Sequence, residues 1–309
     1  PTLTTLIATG PNPNTDLTTG THTITLQITD TNNLSATDTV TITITAPPDQ
    51  SLTYVSFNND ASLPGQGSIS DEDIVAYDSI SGTWEIYFDG SDVGLGPTDV
   101  NAFHVRSDGS ILLSIDTGNF TLPGVIGGPN GSTIDDSDIV LFTPTSTGAT
   151  TAGTFTFWFD GSDVGLSENG EDIDALHELP DGTLAISTNG SSGVPGLATT
   201  GDEDVRLFSP TSTGANTAGT WTIHFDGSDI GLGSNSEDLD AISMGPSGDE
   251  LYFSTIGSYS AGGTSAPDED ISAFTGTFGT STTGTVNVAL DLSTLGIDPA
   301  EDVDGVTIN

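Results

Sequence analysis

The 309-residue chain contains neither cysteine nor lysine. Without cysteine there are no disulfides and no thiolate metal sites, and the redox compartment is left open. Without lysine, Arg106 and Arg206 stand against 44 acidic residues, a formal net charge of −42. Such a surface repels nucleic-acid phosphates and anionic headgroups, so nucleic acid is excluded as a partner, as is direct membrane insertion. No apolar run approaches the length of a membrane span. Cations are the natural partners. Asp outnumbers Glu 34 to 10. A salt-adapted acidic coat would use both residues, whereas Asp is favoured in turns and as a short, rigid oxygen ligand for hard cations. Abundant Thr, Ser, Gly and Asp fit an extracellular or cell-surface protein, and the start at Pro1 suggests a processed product or an excised fragment.

What the chain does contain is a repeat. The octapeptide Phe-Asp-Gly-Ser-Asp-Val-Gly-Leu stands at 88–95 and 159–166, and again at 225–232 with Ile230 for Val. A spacing of about 70 residues is too long for a solenoid coil and suits a four-stranded propeller blade with long loops. Within one repeat, strands are expected at Ile173 to Glu178, Thr183 to Ser187, Asp204 to Ser209 and Thr220 to Phe225, here termed a to d. Strand a opens alike in each copy, at Asn101-Ala102-Phe103, Asp174-Ala175-Leu176, Asp240-Ala241-Ile242 and Asp304-Gly305-Val306. The first repeat begins with a b-like strand, Thr53 to Phe57, and the last a-like strand stands at the C-terminus. Asp304 to Asn309 is therefore expected to supply the strand that the first blade lacks, closing a ring without an exposed sheet edge.

Ahead of the repeats, Thr21 to Asp30 and Thr37 to Ile44 alternate β-branched with polar residues, the period of half-buried strands. Gly20 to Thr45 resembles the last strands of the Ig-like PKD and cadherin-like modules of bacterial surface proteins. Those modules are about twice as long, which implies that strands from an upstream segment or a neighbouring copy complete the unit. The strand-a pattern, followed by a Gly turn and an apolar strand b, resembles hemopexin-type four-bladed propellers. That likeness implies blade number and a central ion channel, and implies nothing about heme. The expected architecture is thus all-β: a partial Ig-like β-sandwich (1–46), a linker (47–50) and a four-bladed β-propeller (51–309).

Strands a and c run in one direction, b and d in the other, so acids at the starts of a and c share a rim with those ending d. The candidate Ca2+ ligands at the strand-c starts are Asp71, Asp73, Asp136, Asp138, Asp202, Asp204, Asp268 and Asp270. Those of the Asp-Gly-Ser-Asp turns are Asp89, Asp92, Asp160, Asp163, Asp226 and Asp229. Those at the strand-a starts are Asp172, Asp174, Asp238, Asp240, Asp302 and Asp304. Unit charges about 5 Å apart repel by roughly 1 kcal/mol in water and more at lower dielectric. Calcium, with six to eight oxygen ligands, is the economical counterion. The turn acids read equally as simple turn caps, and Asn101, Asp174, Asp240 and Asp304 could line an axial cation site.

Catalysis finds little support, because the carboxylates recur by blade as scaffolding does, and His104 and His177 align with Ser243 and Thr307. The expected function is a noncatalytic, calcium-stabilised segment or subunit of a bacterial surface adhesin, sheath or filament, assembled by strand complementation. A lectin-like propeller that binds glycans is the alternative, with Trp158 as a stacking surface.

Overall fold

The computed structural model describes residues 20–44, 52–168, 170–245 and 248–308. The expected linker and Asn309 fall outside these, as do residues 1–19. The chain divides into two compact units between Ser51 and Leu52, and its described part is all-β, built from small antiparallel sheets.

In the first unit, β1 (Gly20–Thr29) and β2 (Ser35–Ile44) pair as a hairpin. Asp30 makes the turn: its Oδ1 accepts the Asn32 and Leu34 N–H groups at 2.8 and 2.9 Å. The register sets Ile24 opposite Val40 and Ile28 opposite Ala36, while Thr25 faces Thr39 on the other side. Ile28 and Val40 on the strands and Leu34 in the turn are 64%, 53% and 70% exposed.

The second unit follows one plan four times. Its first repeat holds β3 (Leu52–Ser56), a separate small hairpin of β4 (Ala61–Leu63) and β5 (Gly67–Ile69), then β6 (Ile74–Asp78) and β7 (Thr83–Phe88). The second has β8 (Ala102–Val105), β9 (Ile111–Ser114), the pair β10 (Phe120–Thr121) and β11 (Thr133–Ile134), β12 (Ile139–Ser146) and β13 (Ala152–Phe159). The third consists of β14 (Ile173–Glu178), β15 (Leu184–Thr188), β16 (Val205–Ser212) and β17 (Ala218–Phe225). The fourth has β18 (Ala241–Met244), β19 (Glu250–Ser254), the pair β20 (Tyr259–Ala261) and β21 (Thr264–Ala266), β22 (Ile271–Thr277) and β23 (Thr283–Leu290). The C-terminal β24 (Gly305–Ile308) pairs with β3, Gly305 opposite Ser56 and Ile308 opposite Thr53, and completes the first sheet in the order β24-β3-β6-β7.

The innermost strands adjoin in a cycle: β8 lies beside β14, β14 beside β18, β18 beside β24, and β24 beside β8. Enclosed on both faces, β8 and β18 are buried along their whole length, whereas outer strands such as β13 alternate buried with exposed residues. This is the pattern expected when one edge of each sheet meets the others and the opposite edge meets water. After each outer strand comes a single 3-10 turn ended by a left-handed glycine, Gly94, Gly165, Gly231 or Gly296, at φ between 93° and 103°, a conformation that strains other residues.

On three of the four inner strands, one side chain accepts the next strand's backbone N–H. Val105 N donates to Thr307 Oγ1 (3.2 Å), Met244 N to His177 Nδ1 (3.3 Å) and Ile308 N to Ser243 Oγ (3.0 Å). His104 holds the fourth place and packs edge-on against His177 at 4.4 Å. At His177, Ser243 and Thr307 imidazole and hydroxyl are interchangeable because each can accept a hydrogen bond, whereas His104 Nδ1 is buried without a partner.

Deletion of residues 305–309 should therefore bare the β3 edge and remove the buried Val306 and Thr307. The expected loss is at least about 3 kcal/mol by urea denaturation, and an unchanged midpoint would show that β24 does not hold the first sheet.

Candidate metal centre

The structure brings the three acid families to the same end of the sheets but divides them into two sets. In the outer set, the last acid at each strand-c start, Asp73, Asp138, Asp204 or Asp270, is buried. Its Oδ1 accepts the N–H of Gly90, Gly161, Gly227 or Leu292 at 3.0–3.2 Å. In the first three, Oδ2 also accepts the N–H of Ser70, Asp135 or Gly201. The turn glycine is required by closeness here: a Cβ on Gly90, Gly161 or Gly227 would lie 2.2–2.4 Å from the carbonyl oxygen of Glu72, Ser137 or Glu203.

Within the turns, Asp89, Asp160 and Asp226 accept the hydroxyls of Ser91, Ser162 and Ser228 at 2.7 Å. The second turn acid reaches the next sheet. Asp92, Asp163 and Asp229 accept the N–H groups of Thr151, Thr217 and Thr282 at 2.8–2.9 Å. The same threonine hydroxyls accept the N–H groups of Asp89, Asp160 and Asp226 at 2.9 Å. The octapeptide is thus a staple between consecutive sheets. At the fourth junction Thr294 replaces the second acid; Trp84 Nε1 donates to the Leu295 carbonyl there, as Trp221 Nε1 does to the Val164 carbonyl where Asp163 is kept. The recurring Thr-x-Gly-Thr at 151–154, 217–220 and 282–285 carried this signal in the sequence.

The inner set is different. The carbonyls of Asp71, Asp136, Asp202 and Asp268 accept the N–H groups of Val100, Ile173, Leu239 and Val303 at 3.0–3.4 Å. Each of those residues sits between two strand-a polar residues, 99 and 101, 172 and 174, 238 and 240, or 302 and 304. Asp240 has Asp174, Asp302 and Asp304 as neighbours from the other inner strands, whereas Asp172 lies beside Asp135 and Asp136. Asp174, Asp240 and Asp304 are 4%, 2% and 2% exposed. Asn101, at the fourth place, donates from Nδ2 to Asp174 Oδ1 at 3.0 Å, and Ser56 Oγ donates to Asp304 Oδ1 at 2.6 Å. The second oxygens of Asp174 and Asp304, both oxygens of Asp240, and one oxygen each of Asp99, Asp238 and Asp302 have no hydrogen-bond partner.

Burial, reinforced by neighbouring carboxylates, pushes these acids up. Asp238 rises to about 9, with Asp174 and Asp202 its main charged neighbours. Asp99 rises to about 8 beside Asp71 and Asp116. Asp174 and Asp302 rise to about 7, and Asp240 and Asp304 lie well above the usual range. The chain's own cations do not answer this charge. Arg106 pairs with Glu178 at 2.6 and 2.7 Å. Arg206, fully buried, donates to Thr188 and Ser192. Among the described residues no three His, Asp or Glu side chains already close on one metal position. The residues nevertheless fit a hard cation, for they present buried oxygen acceptors and no competing donor beyond Asn101 and Ser56.

Sequence reasoning missed Arg206, which fills the interior of the third sheet beside Trp221 at 5.7 Å. Its lone position among acids gave no sign of burial. The ring of Trp158 lies under the Arg106 guanidinium at 5.2 Å. No protein-family model matches this chain, and no curated protein is significantly similar to it. Fold and site together define an all-β, cyclically repeated acidic protein. Among the described residues no helix is long and apolar enough to cross a membrane.

Asp163→Ala should destabilise by about 1–3 kcal/mol in urea, since it strips the buried Thr217 N–H of its acceptor. A neutral result would show that water serves equally well. Titration of the inner set has the opposite sign to that of ordinary paired carboxylates. With native values raised above the ordinary 3.8 of Asp, the folded state holds protons that the unfolded chain has released. In EDTA the melting temperature should therefore fall as pH rises from about 5 to 9. Asp240→Asn should flatten this slope, whereas replacing the exposed Asp181 should not; equal slopes in all three proteins would locate the effect in general surface repulsion.

Proposed function

We propose that this chain is a noncatalytic structural module of an extracellular or cell-surface assembly, an adhesin, sheath or filament. Residues 51–309 form a calcium-stabilised four-bladed propeller, and residues 1–46 contribute part of an Ig-like unit. Four four-stranded sheets, the cycle of inner strands and the pairing of β24 with β3 support the propeller. The bare apolar residues Ile28, Leu34 and Val40 support completion of the hairpin by an upstream segment or a neighbouring copy. A scaffold reading is favoured over catalysis by repetition: the same amide contacts to acids recur from sheet to sheet, whereas an active site would single out one.

The observation that carries the calcium reading is Asp240, 2% exposed with both carboxylate oxygens unpartnered among other acids. An isolated buried carboxylate is costly unless it is protonated or bound to a cation. At pH 8, where protons become scarce, a divalent cation is the effective alternative.

With an affinity near 0.1–1 mM, ~10 mM calcium would add roughly 1.4–2.7 kcal/mol per site. Calorimetric melting of the full chain at pH 8 should show a clear rise from EDTA to calcium, and magnesium should do less because it dehydrates reluctantly. Indifference to EDTA at low ionic strength would sink the calcium reading.

A further inference from the structure

We propose that the buried imidazoles His104 and His177 make the cycle of inner strands acid-sensitive: protonation unlatches β14 from β18 and opens the cycle between the third and fourth sheets. This device is independent of the calcium reading and acts away from the inner acids. Its response to pH is opposite in sign to theirs.

The latch is a single side-chain bond. His177 lies on β14, 5% exposed, and its Nδ1 accepts the Met244 N–H of β18 at 3.3 Å. Only a neutral imidazole can do this, with its own proton on Nε2. A second proton has to go to Nδ1, where it turns the acceptor into a donor facing another donor, so the bond is lost and two buried N–H groups are left unpaired. The corresponding links from β8 to β24 and from β24 to β18 are accepted by hydroxyls, Thr307 Oγ1 and Ser243 Oγ, which do not titrate in this range. Of the three links, only the one between β14 and β18 responds to acid. His104 raises the sensitivity. Its ring lies edge-on to that of His177 at 4.4 Å, and its buried Nδ1 has no partner, so neither imidazolium would gain an acceptor at Nδ1 and each would repel the other.

No neighbouring charge compensates. Strands β9, β15, β18 and β24, which pack against β8 or β14, carry no titratable side chain. β14 itself adds Asp174 and Glu178, and Arg106 follows β8. Glu178 is taken by Arg106, and the charged neighbours of Asp174 are Asp172, Asp302 and Asp202. The charges that reach His104 are those of His177 and Arg106, both unfavourable to a further positive charge. Burial therefore holds His104 well below the ordinary 6.5 of histidine, with His177 and Arg106 adding to it, and brings His177 down to about 4. Because these native values lie below those of the unfolded chain, the stability they govern is complete above about pH 6.5 and is lost as pH falls toward about 4. The Arg106–Glu178 pair spans β8 and β14 and holds that junction. The junction of β14 with β18 is thus the one that opens.

Urea denaturation of the full chain in EDTA, at about pH 7.5 and about pH 5, tests this against His177→Ser, which keeps a hydroxyl acceptor like that of Ser243 but no imidazole. Between the two pH values the unfolding equilibrium constant of the unaltered chain should rise by at least about tenfold more than that of the variant. Hydrogen exchange at about pH 5, corrected for the intrinsic rate, should show the Met244 amide losing protection before the Val105 and Ile308 amides, whose acceptors are hydroxyls. Equal pH dependence in the two proteins overturns the proposal, as does simultaneous loss of protection at all three amides. Should His177→Ser fail to fold, proton NMR of the unaltered chain decides: the His177 ring should stay neutral down to about pH 5, and a midpoint near its ordinary 6.5 in the folded state would refute the latch.

Discussion

The pairing of Gly305–Ile308 with Thr53–Ser56 is the contact on which the rest of the repeat unit depends. It joins residues some 250 positions apart in the chain and supplies the inner strand without which the first sheet would present a bare edge to water. It also has an electrostatic consequence. The same residues that close the cycle bring Asp304 among the other inner acids, where Ser56, on the strand it pairs with, is one of its few hydrogen-bond donors. Closure and the crowding of acids are one event.

Two classes of aspartate result, distinguished by what surrounds them rather than by sequence context. Acids of the outer set meet backbone N–H groups and act as internal acceptors. Charge-assisted hydrogen bonds of this kind exceed the usual contribution of about 1 kcal/mol, so these residues join turn to strand and sheet to sheet. Acids of the inner set meet mostly one another. Their carboxyls rise because burial disfavours the charged form and neighbours of like sign disfavour it further. The fold therefore tolerates the inner set only through protons or cations, while the outer set is stabilising as it stands.

Much of this was legible in the residues. The octapeptide and the Asp-Ala-apolar starts marked the repeat, and the displaced last copy of strand a placed Asp304 to Asn309 beside Thr53 to Phe57, where β24 and β3 indeed pair. Ile173 to Glu178 is a strand with those same limits. The c and d strands run longer than expected, to Ser212 and from Ala218, because Thr-Ser and Ala-Gly extend a hairpin whose polar residues carry no strong strand preference. Trp84, Phe155 and Trp221 are buried at one repeat position.

From the sequence alone came the all-β class, the fourfold repetition and the presence of acids at three places in every copy, since these depend on local pattern and on counting. Which acids are satisfied was decided only by the tertiary structure. Asp92 and Asp240 look equally suited to binding a metal when read along the chain. One finds the Thr151 N–H of the next sheet, and the other finds only neighbouring carboxylates. Hydrogen-bond partners and dielectric surroundings come from residues distant in sequence, and no reading of neighbours along the backbone contains them.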